Sequence, residues 1–296
     1  MLPGLKAEFA LAYQEQLNNS VTERLATIIN TTQPIQKYAW MGTVPPMREF
    51  IDERRPSGMT EYATSIEDKV FESTIAVDRK AIEDDQLDLI RLRIRDMASR
   101  IASHRHQMLV EALSGGFTAD GYDGATFFDT AHPMAGGSTY GNRVGAALDG
   151  EVLGEAISSM MLVPDDQGIP LGIVPDTLVV GPKQQWTAME LLESPVVVDK
   201  TGGISVPYGN VFKGRLNLVV SPFLRGTADD YWFLLDTKRP IRGLILQQRS
   251  DVPVEFAAME SRNSDSGFMR DRYHYGVRAR YNVGYGLWQT AYGGII

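Results

Sequence analysis

Near its end the chain reads Asp271-Arg-Tyr-His-Tyr-Gly-Val-Arg-Ala-Arg-Tyr-Asn-Val-Gly-Tyr-Gly-Leu-Trp-Gln-Thr-Ala-Tyr292. From Tyr273 to Tyr285, aromatic or aliphatic side chains occupy the odd positions, and polar side chains or glycine occupy the even ones. This period of two predicts a long strand with one buried and one polar face. Gly284 and Gly286 are expected to weaken the strand, and Trp288 is expected to anchor the last residues of the chain. The pattern therefore predicts a C-terminus that is tied to the fold.

Two segments have the apolar spacing of helices. In residues 1–33 apolar side chains recur every three or four positions, which predicts a helical arm that ends at Pro34. Acidic residues followed by an apolar stripe predict a second helix over 84–114, which Gly115-Gly116 stops. At 1.5 Å per residue this second helix is about 45 Å long, so it suits a spine along which other elements pack.

Residues 35–77 are predicted to form a long protruding loop or hairpin. Pro45-Pro46 and Pro56-Ser57-Gly58 interrupt short strand-like pieces, and residues 69–77 alternate as a return strand would. The segment is too charged to bury much of itself, so we expect it to need a partner. Its densest charges are Arg48, Glu49, Asp52, Glu53, Arg54 and Arg55.

The rest of the chain mixes helix and strand. Residues 117–150 are rich in glycine and contain the block Phe127-Phe-Asp-Thr-Ala-His-Pro133. The elements predicted after them are helices at 151–163 and 182–192 and strands at 177–181, 216–220 and 231–235. After Asp236 the sequence is rich in β-formers again, so the predicted class is α+β.

Composition excludes several classes of protein. The chain has 296 residues, enough for a large core, and no cysteine, which rules out disulfides, thiolate zinc sites and cysteine nucleophiles. A net charge of −8 argues against sequence-independent nucleic-acid binding, which relies on a basic surface. The sequence has no run of about 18 apolar residues, so we expect no membrane span, and we expect no signal peptide.

The candidate catalytic groups do not form a recognisable set. His104 and His106 are two residues apart on a predicted helix, about 200° around its axis, so they cannot share an ion. Asp129 and His132 would need further ligands to bind a metal or to act as an acid–base pair. We expect instead a turn in which Asp129 caps local amides and His132 packs. The sequence therefore predicts no catalytic residue, no cofactor and no metal, and a protein that is not an enzyme.

The order of these features resembles the Hong Kong 97-type major capsid protein fold of tailed bacteriophages. Three blocks are similar, more narrowly, to the Mu-like major head subunit (gpT) family. They are Phe127–Pro133, Leu178-Val-Val-Gly-Pro-Lys-Gln-Gln-Trp-Thr-Ala188 and Tyr275-Gly-Val-Arg-Ala-Arg-Tyr-Asn-Val-Gly-Tyr-Gly-Leu-Trp-Gln289. The motif residues expected to be structural are Phe127, Phe128, Asp129, His132, Pro133, Gly284, Tyr285, Gly286 and Trp288.

The resemblance implies a domain layout. Its parts are an N-terminal arm at 1–34, an extended E-loop at 35–77, a peripheral (P) domain at 78–149 with the spine helix at 84–114, an axial (A) domain at 150–235, and a return to the P domain at 236–296. In this fold the E-loop lies over an adjacent subunit. The charges from Arg48 to Arg55 are therefore our candidates for contacts between subunits.

The function that the resemblance implies is structural. The chain would assemble with itself into hexamers and pentamers of an icosahedral shell around double-stranded DNA, touching that DNA weakly and without specificity. Portal, scaffold, maturation protease and decoration proteins would be its other partners, with no membrane involved. Assembly would take place in the bacterial host cytoplasm, and the product would be the virion capsid.

Two alternatives, and two departures from the pattern of the fold family, accompany this interpretation. An encapsulin-type compartment has the same fold, and a metal-dependent enzyme would use Asp129 and His132.

Some relatives join subunits by a lysine–asparagine crosslink; Lys69 with Asn263 or Asn282 would be the residues here, but nothing marks them and we expect no crosslink. Some relatives also carry a scaffolding segment of roughly 100 residues before the arm, which is absent here, so we expect either a separate scaffold or a mature form.

Overall fold

The computed structural model describes residues 2–18, 20–38, 64–83, 87–134, 137–165, 168–199, 206–251, 254–261 and 264–295. The helices of this part are α1 Leu2–Asn18, α2 Thr22–Leu25, α3 Arg79–Glu83, α4 Leu87–Gly115, α5 Gly150–Leu162, α6 Gln185–Glu193 and α7 Asp265–Arg270. Its first eight strands are β1 Ala26–Thr31, β2 Ile35–Tyr38, β3 Thr64–Glu67, β4 Lys69–Asp78, β5 His132–Pro133, β6 Thr139–Tyr140, β7 Arg143–Val144 and β8 Thr177–Val180. The others are β9 Val196–Asp199, β10 Val206–Gly209, β11 Asn217–Val220, β12 Trp232–Leu235, β13 Leu244–Arg249, β14 Val254–Met259, β15 Arg272–Tyr285 and β16 Ala291–Gly294.

The predicted C-terminal strand is confirmed as β15, the centre of one of the two larger sheets. It pairs antiparallel with β4 on one edge, and with β13 and β14 on the other. β1 extends the sheet by pairing parallel with β13. The odd side chains from Tyr273 to Tyr281 are all buried, and none of the even ones between them is. The alternation in the sequence therefore reports the two faces of this sheet.

The glycines at the end of β15 lie where the packing leaves no room for a side chain. A Cβ on Gly284 would lie 2.4 Å from Ile66 Cδ1, and one on Gly286 would lie 2.2 Å from the carbonyl oxygen of Arg242. Gly284 still pairs with Ile245, and β15 ends at Tyr285, before Gly286. The missing side chains therefore allow close packing, and the weakening of the strand by these glycines stays a prediction.

The predicted spine helix is α4, 29 residues long and about 44 Å from end to end. It begins at Leu87 in the structure, since residues 84–86 lie outside the described part, and it ends at Gly115. Its first half packs against α1 and the inner face of the sheet around β15. The buried side chains of this cluster include Leu5, Phe9, Ile94, Met97, Phe256 and Tyr275.

The prediction of one helix over residues 1–33 is wrong beyond Asn18. After α1 the side chain of Ser20 accepts a hydrogen bond from the amide of Thr22, the first residue of the short α2, at 3.1 Å. Residues 26–31 then form β1. Their β-branched side chains favour strand, and the backbone of β13 provides the partner. The helical arm therefore ends before the chain enters the sheet at Ala26, although the apolar spacing continues.

A second five-stranded sheet organises the middle of the chain, in the order β11-β8-β12-β16-β7. Strands β8 and β12 are buried along their whole length, as their continuous apolar runs predict. The last strand, β16, lies between β12 and β7. This sheet therefore combines strands from inside and outside the range 150–235. None of the helices described is long and apolar enough to span a membrane.

Candidate functional site

The first and third motif blocks meet at a buried junction beneath the C-terminal strand. Phe127 stacks on Tyr285 with ring centroids 4.5 Å apart, and Phe128 packs on Phe233 at 5.4 Å. Both phenylalanines are fully buried. A Cβ on Gly293 would come within 2.9 Å of the Phe128 ring. The block that begins at Phe127 therefore packs directly under the end of the chain.

Asn142 is the polar centre of this junction. Its side-chain Nδ2 lies 2.9, 3.2 and 3.1 Å from the carbonyl oxygens of Phe127, Trp288 and Ala291, which share its two hydrogens. Its Oδ1 accepts from the amide of Asp129 at 2.9 Å. Three carbonyl oxygens around Nδ2 determine the orientation of the amide. Asn142 therefore ties the glycine-rich region to both sides of the last turn of the chain.

His132 lies beside Asn142 and is completely buried. Its ring stacks on Trp288 with centroids 3.9 Å apart and an interplanar angle of 5°. Its Nε2 is 3.0 Å from Asn142 Oδ1, and its Nδ1 is 2.7 Å from Asp123 Oδ2. Both ring nitrogens thus face oxygen atoms of neighbouring side chains, so neither is left without a partner.

Asp129 holds the turn that precedes His132. Its carboxylate accepts from the amide of Ala131 at 3.0 Å and from the hydroxyl of Thr126 at 2.7 Å. These hydrogen bonds, that of Thr126 first, hold the pKa of Asp129 below its ordinary value. Pro133 follows in the short strand β5, which pairs with β6. Asp129 and His132 are thus both engaged by neighbouring protein groups.

The other histidines considered for a metal site face different neighbours. His104 Nδ1 is 2.8 Å from the Tyr281 hydroxyl, and the ring of His106 packs edge-on against Phe223. Burial lowers the pKa of both. Across the described ranges, no group of three or more His, Cys, Asp or Glu side chains could hold a metal ion. The histidines in these places have packing partners instead.

The charged candidates Arg48, Glu49, Asp52, Glu53, Arg54 and Arg55 lie outside the described residues, as does Asn263. Of the other residues considered for a crosslink, Lys69 pairs in register with Tyr281 on the same chain. The side chain of Asn282 donates to the carbonyl oxygen of Glu67 at 2.7 Å.

Asp123 and Asn142 are the site residues that sequence reasoning missed. Both lie in the glycine-rich region, where polar residues between glycines are typical of solvated turns. The neighbouring Gly141 marks the place in the structure, because a Cβ there would lie 2.7 Å from the Thr130 carbonyl oxygen. Such a close approach is only recognisable once the fold is known.

Several large apolar side chains of the described residues remain exposed on separate elements. The exposed fractions are 71% for Leu11 on α1, 72% for Trp186 on α6, 70% for Val211 after β10, 80% for Phe268 and 76% for Met269 on α7. Single exposed apolar side chains are ordinary on a monomer, whereas contiguous exposed apolar surface marks interaction sites. Phe268 and Met269, which are adjacent on α7, are therefore the better candidates for a contact with another chain.

Comparison with solved structures defines the class of the fold. A chain from the procapsid of bacteriophage JBD30 has a TM-score of 0.60 at 27% identity, over 100% of this chain and 75% of that one. A phage-related protein from Bordetella bronchiseptica has a TM-score of 0.57 at 14% identity, over 99% and 96%. The fold is thus the Hong Kong 97-type fold of phage capsid proteins, as predicted.

Sequence comparison gives the family. The profile of the Mu-like prophage major head subunit gpT matches residues 1–151, 138–224 and 225–294, so the chain belongs to that family. It is 26% identical to the Mu-like prophage FluMu major head subunit of Haemophilus influenzae and 25% identical to the major capsid protein of Escherichia phage Mu. Each alignment has 268 residues and covers 90% of this chain but 64% of the relative. The predicted family resemblance is confirmed.

Proposed function

We propose that this chain is the major capsid subunit of a tailed phage or Mu-like prophage head. It assembles into hexamers and pentamers of an icosahedral shell that encloses double-stranded DNA. The observation that carries this proposal is the family match along nearly the whole sequence, joined to a fold match over all of it with a procapsid chain. On this proposal the protein is a virion component that forms in the cytoplasm of the bacterial host.

The exposed apolar side chains are the proposed contacts with neighbouring subunits. They lie on four parts of the chain, on α1, on α6, after β10 and on α7. In a ring of identical subunits each subunit meets its two neighbours through different surfaces. The α7 pair, Phe268 and Met269, is the most exposed of them.

The charges between Arg48 and Arg55 are the proposed contacts of the E-loop with an adjacent subunit. Exposed ion pairs contribute about 0–1 kcal/mol each, so single substitutions should be mild and clustered ones severe. The domain ranges 1–34, 35–77, 78–149, 150–235 and 236–296 belong to the same proposal. The proposal also includes a shell without crosslinks. Its partner proteins would be a portal, a scaffold, a maturation protease and decoration proteins.

A structural role without catalysis, cofactor or metal fits the junction at Asn142. The hydrogen-bonding groups of Asp129 and His132 are taken up by protein neighbours, so a metal would have to displace them. A net charge of −8 supports weak, non-specific contact with packaged DNA. Strong basic patches would hold the DNA rather than let it move.

The test is to express the chain alone and with candidate scaffolds, then to image the products by electron microscopy. Closed shells or rings of five and six subunits are expected, and a protein that stays monomeric with every scaffold would contradict the proposal. Particles that enclose a co-purified protein instead of DNA would indicate an encapsulin-type compartment.

Charge reversal tests the E-loop contacts. The double variant Arg54→Glu with Arg55→Glu should leave the monomer folded and prevent shells, because it replaces attraction by repulsion at every copy of the contact. The matched control, Arg54→Lys with Arg55→Lys, keeps the charge and should still assemble. Normal shells from the reversed variant would remove these two residues from the interface.

A further inference from the structure

A cleft between α1 and the sheet has no assigned role. Its volume is about 320 Å³, and it opens between the side chains of α1 and the strands β1, β13 and β14. Seven of its twelve lining residues are aliphatic or aromatic, among them Phe9, Val254 and Phe256, and its charged residues are Lys6, Glu23 and Arg105. The arrangement of the polar groups decides what such a cleft can bind.

Two buried donors on the cleft wall have no hydrogen-bond partner. They are the Nε of Arg105, a residue that is 4% exposed, and the hydroxyl of Tyr13, a residue that is 7% exposed. Buried donors are nearly always paired, so an unpaired one needs an explanation. Burial raises the pKa of Tyr13, which Arg105 opposes and Glu23 reinforces, so this hydroxyl remains a donor.

The guanidinium of Arg105 is held in place but not neutralised. Its Nη2 donates to Gln248 Oε1 at 2.9 Å, and Gln248 in turn donates to Asn30 at 2.7 Å. Its Cζ lies 5.0 Å from the centroid of the Tyr281 ring and 5.8 Å from that of Tyr13. None of the ion pairs found among the described side chains includes Arg105. A buried cation held by neutral groups favours an anionic ligand.

We propose that this cleft binds a carboxylate carried on an apolar stem. The carboxylate accepts from Arg105 Nε and the Tyr13 hydroxyl, and the stem packs against Phe9, Val254 and Phe256. A planar guanidinium suits a carboxylate in geometry as well as in charge. The charged groups that line the cleft besides Arg105 are Lys6, which attracts such a ligand, and Glu23, which repels it.

The binding test uses the purified chain and a series of small acids. Saturation-transfer NMR, which works on free subunits and on large particles, would measure acetate, butanoate and hexanoate, with 1-hexanol and hexylamine as controls. Affinity should rise about fourfold for each added methylene until the cleft is filled, because each buried methylene contributes a nearly constant increment. The alcohol should bind more weakly than hexanoate, and the amine should not bind.

Variants connect the binding to the named donors. Arg105→Gln should abolish hexanoate binding, and Tyr13→Phe, which removes only a hydroxyl, should weaken it about tenfold or more. Glu23→Gln should strengthen it. Arg100→Gln on the same helix is the matched control, since Arg100 is exposed and pairs with Asp96, and it should bind as the unmodified chain does. If Arg105→Gln does not fold, the affinities of Tyr13→Phe and Glu23→Gln for hexanoate decide whether the carboxylate binds at these groups.

The source of the carboxylate is a second question for the same assay. Tighter binding of N-acetylglutamate N-methylamide than of butanoate would indicate an acidic side chain from a neighbouring protein. The reverse order would indicate a free aliphatic acid, and both results support a carboxylate site. Equal binding of hexanoate and 1-hexanol, no binding of any acid, or unchanged affinity in Tyr13→Phe would overturn it. None of these readouts requires shell assembly, so they are independent of the proposed function.

Discussion

Replacing Asn142 by alanine should destabilise the subunit more than any other single loss of a polar side chain at the junction. The side chain accepts from the amide of Asp129 and lies 3.0 Å from His132 Nε2. Without it, the part-buried amide of Asp129 and the buried Nε2 of His132 lose their partner at about 1–3 kcal/mol each, so we expect a loss of about 2–6 kcal/mol in the free energy of unfolding. That is a large part of the about 5–15 kcal/mol by which proteins are stable.

The assay is urea unfolding of unassembled subunits, with the matched variant Asn217→Ala. Asn217 also donates to a carbonyl oxygen, that of Asp176 at 3.0 Å, but it is exposed, so its loss should change the free energy by about 1 kcal/mol or less. Hydrogen exchange should accelerate in β16, because Asn142 binds the carbonyl oxygens of Trp288 and Ala291. Equal unfolding free energies for the two variants, with unchanged hydrogen exchange in β16, would refute the conclusion that Asn142 links the glycine-rich region to the C-terminus.

Three further predictions test packing and ionisation. Gly294→Ala should lose about 3 kcal/mol or more of unfolding free energy, because its Cβ would lie 2.1 Å from the ring of Trp232, whereas Gly4→Ala, with nothing within 4 Å, should be neutral or stabilising. Burial raises the pKa of Tyr285 to about 12, so the contribution of this hydroxyl to the free energy of unfolding is complete below pH 10 and is lost as the pH rises towards 12. Tyr285→Phe should therefore flatten the fall of stability between these pH values, as measured by circular dichroism. The pKa of Asp129 is lowered, mainly by the hydroxyl of Thr126, so the contribution of this carboxylate to the free energy of unfolding is present above pH 3.8, the ordinary pKa of an aspartate, and is lost as the pH falls below it. Asp129→Asn should remove this acid-sensitive contribution, as measured by urea unfolding at several pH values.

Local patterns predicted most of the elements. The alternation around Tyr275 specified β15 and its buried face, and the apolar run at 177–180 specified the buried strand β8. The spine helix was predicted because its stripe and its glycine stop both lie within the segment itself. The same rule failed after Asn18, where apolar spacing continued but strand β13 supplied a competing partner from more than 200 residues away.

The chain's own sequence thus determined most of the helices and strands, their buried faces and, through three motif blocks, the family to which the chain belongs, whereas the partner strand β13 decided β1. Only the tertiary structure decided that the glycine-rich region and the C-terminus form one junction. Asn142 illustrates the reason, since its side-chain amide binds carbonyl groups that are 15, 146 and 149 residues away. Periodicity records neighbours within a few positions, whereas the value of a buried amide depends on which distant backbone groups surround it. An asparagine between glycines therefore looks like a turn residue until the fold places it.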